Sequence, residues 1–192
     1  MRKIKGLLAT VCVAMSIVLF CGCLNFGASS LSFDFDGFSL HLSDKARTIV
    51  DAGYTIEGVT DSYPTLDGQT YTTDSAWISK GGSKTSATIG FANFSTNSQP
   101  AIDCSVYRIS LYIAGDDEAD VKINGVAVNG MGVDDAVSTF TSWGFKFDEE
   151  RIADVKNGDS YFLRSKSGDY SIELNFSHSS GNIESVIYEK DL

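Results

Sequence analysis

The sequence is poor in the residues that catalysis and metal binding use most often. It contains two histidines, His41 and His178. A base that works near neutral pH is usually a histidine, and zinc needs several cysteines or histidines. The sequence also has no serine framed as a nucleophile elbow and no phosphate-binding loop. It therefore predicts no catalytic residues, no metal and no cofactor.

Cysteines are also few. Of the four, Cys12 and Cys21 lie in the apolar N-terminal stretch and would leave with a signal peptide. If Cys23 is modified, Cys104 is alone and no intrachain disulfide can form. The hydrophobic core must then supply the stability, and roughly 160 residues can bury enough apolar surface to do so. Cys104 lies in an alternating apolar run, which favours a buried structural thiol over a nucleophile.

Basic residues are scarce outside the N-terminus. The chain has 15 basic and 25 acidic residues, and three of the basic ones lie before residue 22. A chain that began at Cys23 would keep 12 basic against 25 acidic residues, a formal charge of −13. This charge argues against nucleic acid as a partner and against electrostatic docking on anionic lipid. Any attachment to a membrane must then come from a lipid anchor.

The N-terminus has the layout of a secretory signal. The chain opens MRKIKGLLATVCVAMSIVLFCGC, with three basic residues ahead of an apolar run that ends at Phe20. This order is typical of a signal peptide, and the run is too short to span a membrane comfortably as a mature helix. The sequence therefore predicts export from the cytoplasm.

The end of this segment resembles the signal of a bacterial lipoprotein, in which small residues precede the cysteine that receives the lipid. Gly22 and Cys23 occupy these positions. The resemblance implies a signal peptide over residues 1–22, lipidation (palmitate) at Cys23 and a tether over residues 23–31. It places the protein at the cell membrane, facing the extracytoplasmic side, with two or three acyl chains as a sufficient anchor. Cleavage after Ala28 and an uncleaved anchor are the alternatives.

Two segments of the chain are similar to each other. DSAWISKGGSKTSATIGF, residues 74–91, aligns without gaps on DSYFLRSKSGDYSIELNF, residues 159–176, with matching apolar positions and turn. Upstream and downstream segments align in the same order. We therefore predict a duplicated chain with a first repeat over residues 32–114, an acidic connector over 115–120 and a second repeat over 121–192.

Each predicted repeat contains one short helix and several strands. Ser43 is a candidate N-cap and Gly53 a helix end, and Val133, Val137 and Phe140 show helical spacing in the second repeat. Alternating apolar residues predict antiparallel strands with one buried face. The fold class expected is α+β, as two tandem duplicated units with a short helix packed on an antiparallel sheet. The predicted strands cover residues 54–56, 76–79, 86–94, 103–113, 145–147, 161–164, 171–176 and 183–188.

This arrangement, together with a Gly-Met-x-x-Asp-Asp helix entry at Gly130 to Asp135, resembles the β-lactamase-inhibitor-like and outer-membrane-assembly lipoprotein superfamily. Members of that group present a sheet face or loops to a protein partner and carry out no catalysis. The resemblance implies a binding or interaction protein and no enzyme.

Large amphipathic side chains are the candidate binding residues, because such residues dominate interface hot spots. Arg108 and Tyr112 alternate with apolar residues, so they share the exposed face of one strand. The loop from Glu57 to Thr73 is longer than its counterpart in the second repeat, which is typical of a recognition loop. We predict a protein or cell-envelope component as the partner. The candidate binding residues are Tyr63, Tyr71, Trp77, Arg108 and Tyr112.

Acidic clusters leave two alternatives open. Asp148 to Glu150 could belong to a secreted or surface hydrolase with a carboxylate cleft between the repeats. Asp34, Asp36 and the acids of the 115–120 connector could supply oxygen ligands in a calcium-dependent adhesion module, although their spacing matches no calcium loop.

Overall fold

Antiparallel β-strands are the main regular structure in the part of the chain that the structure describes. The computed structural model describes residues 28–57, 65–73, 75–113 and 121–192. The helices are α1 (Ala46–Asp51), α2 (Val133–Ser142) and α3 (Glu149–Asn157). The strands are β1 (Ser32–Phe35), β2 (Phe38–His41), β3 (Thr55–Ile56), β4 (Thr65–Leu66), β5 (Thr70–Tyr71), β6 (Ala76–Lys80), β7 (Ser83–Asn93), β8 (Gln99–Pro100), β9 (Ser105–Tyr112), β10 (Lys122–Ile123), β11 (Val126–Ala127), β12 (Phe162–Ser167), β13 (Tyr170–Phe176) and β14 (Ile183–Lys190).

A small sheet of four strands has the order β11-β10-β1-β2. It is built from two hairpins, which turn at Asp36-Gly37 and at Asn124-Gly125. All four turn residues have positive φ, the conformation that two-residue hairpin loops require and that Asx-Gly pairs adopt readily. Phe33 pairs with a residue of each hairpin, so β1 joins the two hairpins into one layer.

A large antiparallel sheet has the order β12-β13-β14-β9-β7-β6-β3, with β5 added to β7. At its centre β14 pairs with β9, with Val186 opposite Leu111. Strand β9 belongs to the first predicted repeat and β14 to the second. The strands of both halves therefore form one continuous sheet. A separate two-stranded ladder joins β4 to β8.

The core lies between the large sheet, the small sheet and the helices. Apolar residues at alternate positions of the large sheet, such as Ile109 and Leu174, are fully buried. Phe33 and Phe35 of the small sheet belong to the same hydrophobic cluster, as do Ile49 of α1 and Phe140 of α2. One hydrophobic cluster thus contains residues of both sheets and of both halves of the chain.

Among the described residues, Tyr188 is the largest side chain that is fully buried. Its ring stacks on Phe33, with centroids 5.3 Å apart, and on Tyr170, at 5.8 Å. Phe145 packs edge-on at 6.4 Å. The Tyr188 hydroxyl donates a hydrogen bond to the carbonyl oxygen of Ala28. The side chain thereby connects β14, the small sheet and the N-terminal end of the described chain.

The predicted α+β fold of two tandem duplicated units is wrong. Strands clearly outweigh helix in the described residues, where the three helices are short, and the structure shows no separate duplicated units. The physical reason lies in strand edges: β9 and β14 each have an edge that must be paired, and pairing them with each other removes both. The protein is better described as mainly antiparallel β.

Individual elements follow the sequence pattern more closely. Strands form at seven of the eight predicted positions, whereas residues 145–147 form none. Ser43 does not cap α1: it has a φ of 77°, and Lys45 is the residue before the helix. Helix α3 was not predicted. Within the described ranges, no helix has both the length and the apolar character that crossing a membrane requires.

We expect the domain to lose stability in alkaline solution. Burial raises the pKa of Tyr188, of Tyr107 and of Cys104. In the unfolded chain these groups ionise near 10.0 for tyrosine and 9.0 for cysteine. Folding therefore favours the protonated forms, and their contribution is complete below these values and is lost as the pH rises above them.

Urea unfolding at about pH 8 and about pH 11 measures this loss. Tyr188→Phe and Tyr107→Phe should each reduce the difference between the two free energies of unfolding, because each removes one titrating group. Equal stability of the native protein at both pH values would contradict the expectation.

Candidate functional site

The large sheet has a second face that does not contribute to the core. On β9 Ile109 and Leu111 belong to the core, whereas Arg108, Ser110 and Tyr112 between them do not, although Ser110 is itself buried. Core and non-core residues alternate in the same way on β13 and β14. We call this surface the outer face. Cross-strand pairing arranges its side chains in three rows: Trp77-Thr88-Ser110-Ile187-Glu173-Arg164, Gly90-Arg108-Glu189-Ser171-Lys166 and Tyr112-Ser185-Asn175-Phe162. None of these side chains belongs to the hydrophobic core cluster.

An aromatic pair occupies one side of the outer face. The ring centroids of Trp77 and Tyr112 lie 5.2 Å apart, although the residues are on β6 and β9 with β7 between them. The Lys84 ammonium lies over the indole at 4.9 Å and also contacts Glu57 at 3.5 Å. Tyr112 is 45 % exposed. The pair therefore offers amphipathic rings to solvent at a position fixed by neighbouring strands.

A second aromatic pair results from a bulge. The register of β7 and β9 shifts between Gly90 and Phe91, so Tyr107 and Arg108 both lie opposite Gly90. Tyr107 donates a hydrogen bond of 2.9 Å to the carbonyl oxygen of Thr72 and packs edge-on against Tyr71 at 5.7 Å. The bulge thus adds a tyrosine to the face, which an unbroken alternation would not place there.

Gly90 leaves the space that the Tyr107 ring fills. A Cβ at position 90 would lie 2.8 Å from Cε1 of Tyr107, closer than carbon atoms approach. We expect Gly90→Ala to displace the ring, break its hydrogen bond to Thr72 and lower the free energy of unfolding by about 1–3 kcal/mol. Chemical denaturation measures the effect. In the Tyr107→Ala background, Gly90→Ala should lower the free energy of unfolding only slightly, because no ring occupies the space. An equal loss of stability in both backgrounds would refute the mechanism.

Charged side chains occupy the other side of the outer face. Arg108 lies opposite Glu189 with Nε and Oε2 3.8 Å apart, and Arg164 lies opposite Glu173, to which it donates a hydrogen bond. Lys166 of the edge strand β12 contacts Asp191, the residue after β14, at 2.6 Å. These residues line a shallow depression of about 610 Å³. Charges of both signs alternate across it, which suits a polar partner surface of matching pattern.

Two buried polar atoms of the outer face have no hydrogen-bond partner. They are Oγ1 of Thr88, a residue only 3 % exposed, and Nε of Arg108. The Arg108 atom lies beyond hydrogen-bond distance of Glu189. Buried polar groups are usually satisfied. Both atoms therefore have unused hydrogen-bonding capacity near the middle of the face.

The described part of the Glu57 to Thr73 loop is attached firmly to β7. The side-chain amide nitrogen of Asn93, Nδ2, donates to the carbonyl oxygens of Leu66 at 2.9 Å and Asp67 at 3.0 Å. It also lies 2.8 Å from the carbonyl oxygen of Asn97, in the β7–β8 connection. This buried amide therefore holds two loops together beside Tyr71. Residues 58–64 lie outside the described ranges.

Four predicted binding residues share the outer face or its border. Trp77, Arg108 and Tyr112 lie in its rows, and Tyr71 lies beside it on β5. Tyr63, the lipidation candidate Cys23 and the connector 115–120 lie outside the described residues. The sequence reasoning missed Tyr107, whose position depends on the bulge. It also missed the partners Glu189 and Glu173, for which strand order was needed.

The acids of the hydrolase alternative have a structural role in the fold. Asp148 is the N-cap of α3, and its carboxylate accepts a hydrogen bond from the backbone N–H of Arg151 at 3.1 Å. Glu149 and Glu150 are exposed in the first turn, where negative charge complements the helix dipole. Asp148 also borders the charged depression. All three acids therefore lie at the N-terminal end of α3.

The acids of the calcium alternative do not cluster where the structure describes them. Asp34 lies in β1, and Asp36 is the first residue of the hairpin turn. Within residues 28–57, 65–73, 75–113 and 121–192, no three histidine, cysteine or acidic side chains are placed to hold a metal ion together. The acids of the connector fall outside these ranges.

The two histidines lie apart from the outer face. His41 is exposed at the end of β2, and its Nδ1 lies 3.6 Å from Oδ2 of Asp44. His178 is in the turn after β13, where its ring stacks on Tyr161. The outer face therefore remains the best candidate site.

Comparison of the chain with models of known protein families, with curated protein sequences and with solved structures finds no match.

Proposed function

We propose that this protein is a lipid-anchored extracytoplasmic binding protein that holds a protein partner on its outer face and carries out no catalysis. The observation that carries the proposal is that Trp77, Tyr112 and Arg108 lie on one sheet face outside the core, with the rings of Trp77 and Tyr112 in contact. Tryptophan, tyrosine and arginine are the residues enriched at interface hot spots. The resemblance to lipoprotein signals supports the anchor at Cys23.

The distribution of charge supports a protein as the partner. Arg108, Arg164 and Lys166 alternate with Glu173, Glu189 and Asp191, so the face has no excess of one sign. Such a pattern orients a partner that carries the complementary pattern, and it gives specificity more than affinity. A nucleic acid would require a basic surface, which this face does not offer. The aromatic pair beside it supplies the apolar anchor of an interface.

Site-specific photocrosslinking tests the proposal. A photoreactive phenylalanine analogue replaces Tyr112 in one variant and Val126 in another, and both are expressed with the native signal. Both side chains are well exposed, but Val126 lies in β11 of the small sheet. We expect a discrete crosslinked protein from position 112 and none from position 126, with loss of the product when Arg108→Glu is added.

Equal crosslinking at both positions, or a product that is insensitive to Arg108→Glu, would contradict the outer face as the binding surface. Intact mass of the membrane-bound protein tests the anchor separately. A diacylglyceryl group on a chain that starts at Cys23 is the expected result, and Cys23→Ala should abolish it.

A further inference from the structure

A patch of exposed rings lies at one end of the large sheet, beside the outer face. Tyr71 is 52 % and Phe94 47 % exposed, and both line a shallow depression of about 490 Å³ together with Lys190 and Leu192. The Lys190 ammonium lies over the Phe94 ring at 5.2 Å. We call Tyr71, Phe94 and Lys190 the end patch. Exposed apolar groups gathered around a cation are unusual on a surface that faces only water.

The described chain begins beside β14, the strand that carries Lys190 of this patch. Tyr188 and Lys190 are two positions apart on β14, so their side chains leave the strand on the same side. The Tyr188 hydroxyl donates to the carbonyl oxygen of Ala28. Two strand residues span about 7 Å. The Ala28 carbonyl therefore lies on the core side of β14, about two residues from the end of the strand that carries Lys190.

The length of chain before Ala28 limits how far this end can lie from the membrane. The inference rests on the anchor of the proposed function, a lipid on Cys23. Five residues then separate the lipid from Ala28, and a fully extended chain of five residues spans at most about 18 Å. Headgroups occupy roughly 5–8 Å on each side of the hydrocarbon layer. A tether this short keeps the end of the domain near the headgroups.

We propose that the end patch contacts the surface of the bilayer that holds the Cys23 lipid. Aromatic rings are favoured at the headgroup level, where one part of the ring is in apolar surroundings and another is wet. A lysine beside them can place its stem along the lipid and its ammonium among the phosphates. The negative charge of the chain opposes binding to anionic lipid, so the patch suits a zwitterionic surface and acts only together with the anchor.

This contact orients the domain. Phe162 is 48 % exposed, almost the same as Phe94, but it pairs with Asn175 and lies in the row of Ser185. Ser185 and Lys190 are five positions apart on β14, about 17 Å. Phe162 is therefore a matched position at the opposite end of the sheet. When the end patch lies on the membrane, the outer face points sideways, along the membrane surface. It therefore remains accessible to a partner that approaches from the side.

Depth-dependent quenching tests the contact. The lipidated protein is reconstituted into phosphatidylcholine vesicles whose acyl chains carry bromine, a quencher of tryptophan fluorescence. Phe94→Trp and Phe162→Trp provide the reporters, and the wild-type protein gives the background from Trp77 and Trp143. We expect a loss of fluorescence and a blue shift for the tryptophan at 94 and neither for the tryptophan at 162. Tyr71→Trp repeats the measurement if Phe94→Trp does not fold.

The outcomes separate the two proposals. If the protein carries its lipid by intact mass and the tryptophans at 94 and 162 are quenched equally or not at all, the membrane contact is refuted and the anchored binding protein stands. If the mass shows no lipid, the anchor fails and the inference fails with it. Unlipidated Cys23→Ala protein should leave the vesicles, because the patch alone is too small to hold it.

Discussion

Tyr188→Ala is expected to lower the free energy of unfolding by about 3–5 kcal/mol, the cost of removing a large aromatic ring from a packed core. The ring is fully buried and stacks on Phe33 and Tyr170, so its loss opens a cavity where the two sheets meet. The hydrogen bond to Ala28 is lost as well. Urea denaturation followed by circular dichroism measures the change.

Two variants separate the contributions. Tyr188→Phe keeps the ring and removes only the hydrogen bond, so it should cost about 1 kcal/mol. Tyr112→Ala removes the same atoms from a side chain that is 45 % exposed, so it should lower the free energy of unfolding by clearly less. If Tyr188→Ala lowers the free energy of unfolding no more than Tyr112→Ala does, the stack of Phe33, Tyr188 and Tyr170 does not hold the sheets together.

Tyr112→Ala is instead expected to weaken binding of the crosslinked partner by about 2 kcal/mol or more, which is roughly 30-fold in Kd. Its ring forms the outer-face pair with Trp77, and removing it leaves the indole without its neighbour. Trp77→Ala should have an effect of similar size. Titration of the purified partner against the domain measures both values of Kd.

Val126→Ala is the matched control for this prediction. It truncates an exposed apolar side chain of the small sheet, away from the outer face. We expect its Kd to equal that of the native protein. If Tyr112→Ala and Trp77→Ala bind within about threefold of the native protein, the aromatic pair is not the energetic centre of an interface.

Strand positions were readable because period-two alternation is a local property. Ile172, Leu174 and Phe176 alternate with polar residues, and all three are buried in β13. Strand order cannot be inferred in this way, because it depends on which strand edges pair with each other. Nothing local in β9 or β14 specifies that they pair. The same pattern fits two separate sheets and one continuous sheet, which is why the fold class was predicted wrongly.

Helix α3 was missed because its sequence, EERIADVKN, is dominated by charge. Its apolar positions are few, and only Val155 is buried. The capping signals at its two ends could have revealed it. Asp148 is a strong N-cap residue with two glutamates after it, and Gly158 adopts the left-handed conformation that ends helices. Interpreting these acids only as candidate residues of a hydrolase gave too little weight to the capping signals.

The candidate site was partly predictable for the same reason as the strands. Arg108 and Tyr112 are four positions apart on one strand, so alternation places them on one face. The contact of Trp77 with Tyr112 was not predictable, because it depends on β6, β7 and β9 lying side by side. Tyr107 joined the face through a bulge, which shifts a register that alternation assumes to be unbroken.

The pairing of distant strands also determines when the chain can fold. Strand β1 needs β10, and β9 needs β14, so the core closes only when segments from both ends of the domain are present. Proteins dominated by such long-range pairings fold slowly. A chain that is synthesised from the N-terminus onward has no complete core until β14 is available for pairing. A chain without a complete core stays unfolded, which is the state that export through a narrow channel would require if the predicted signal is used.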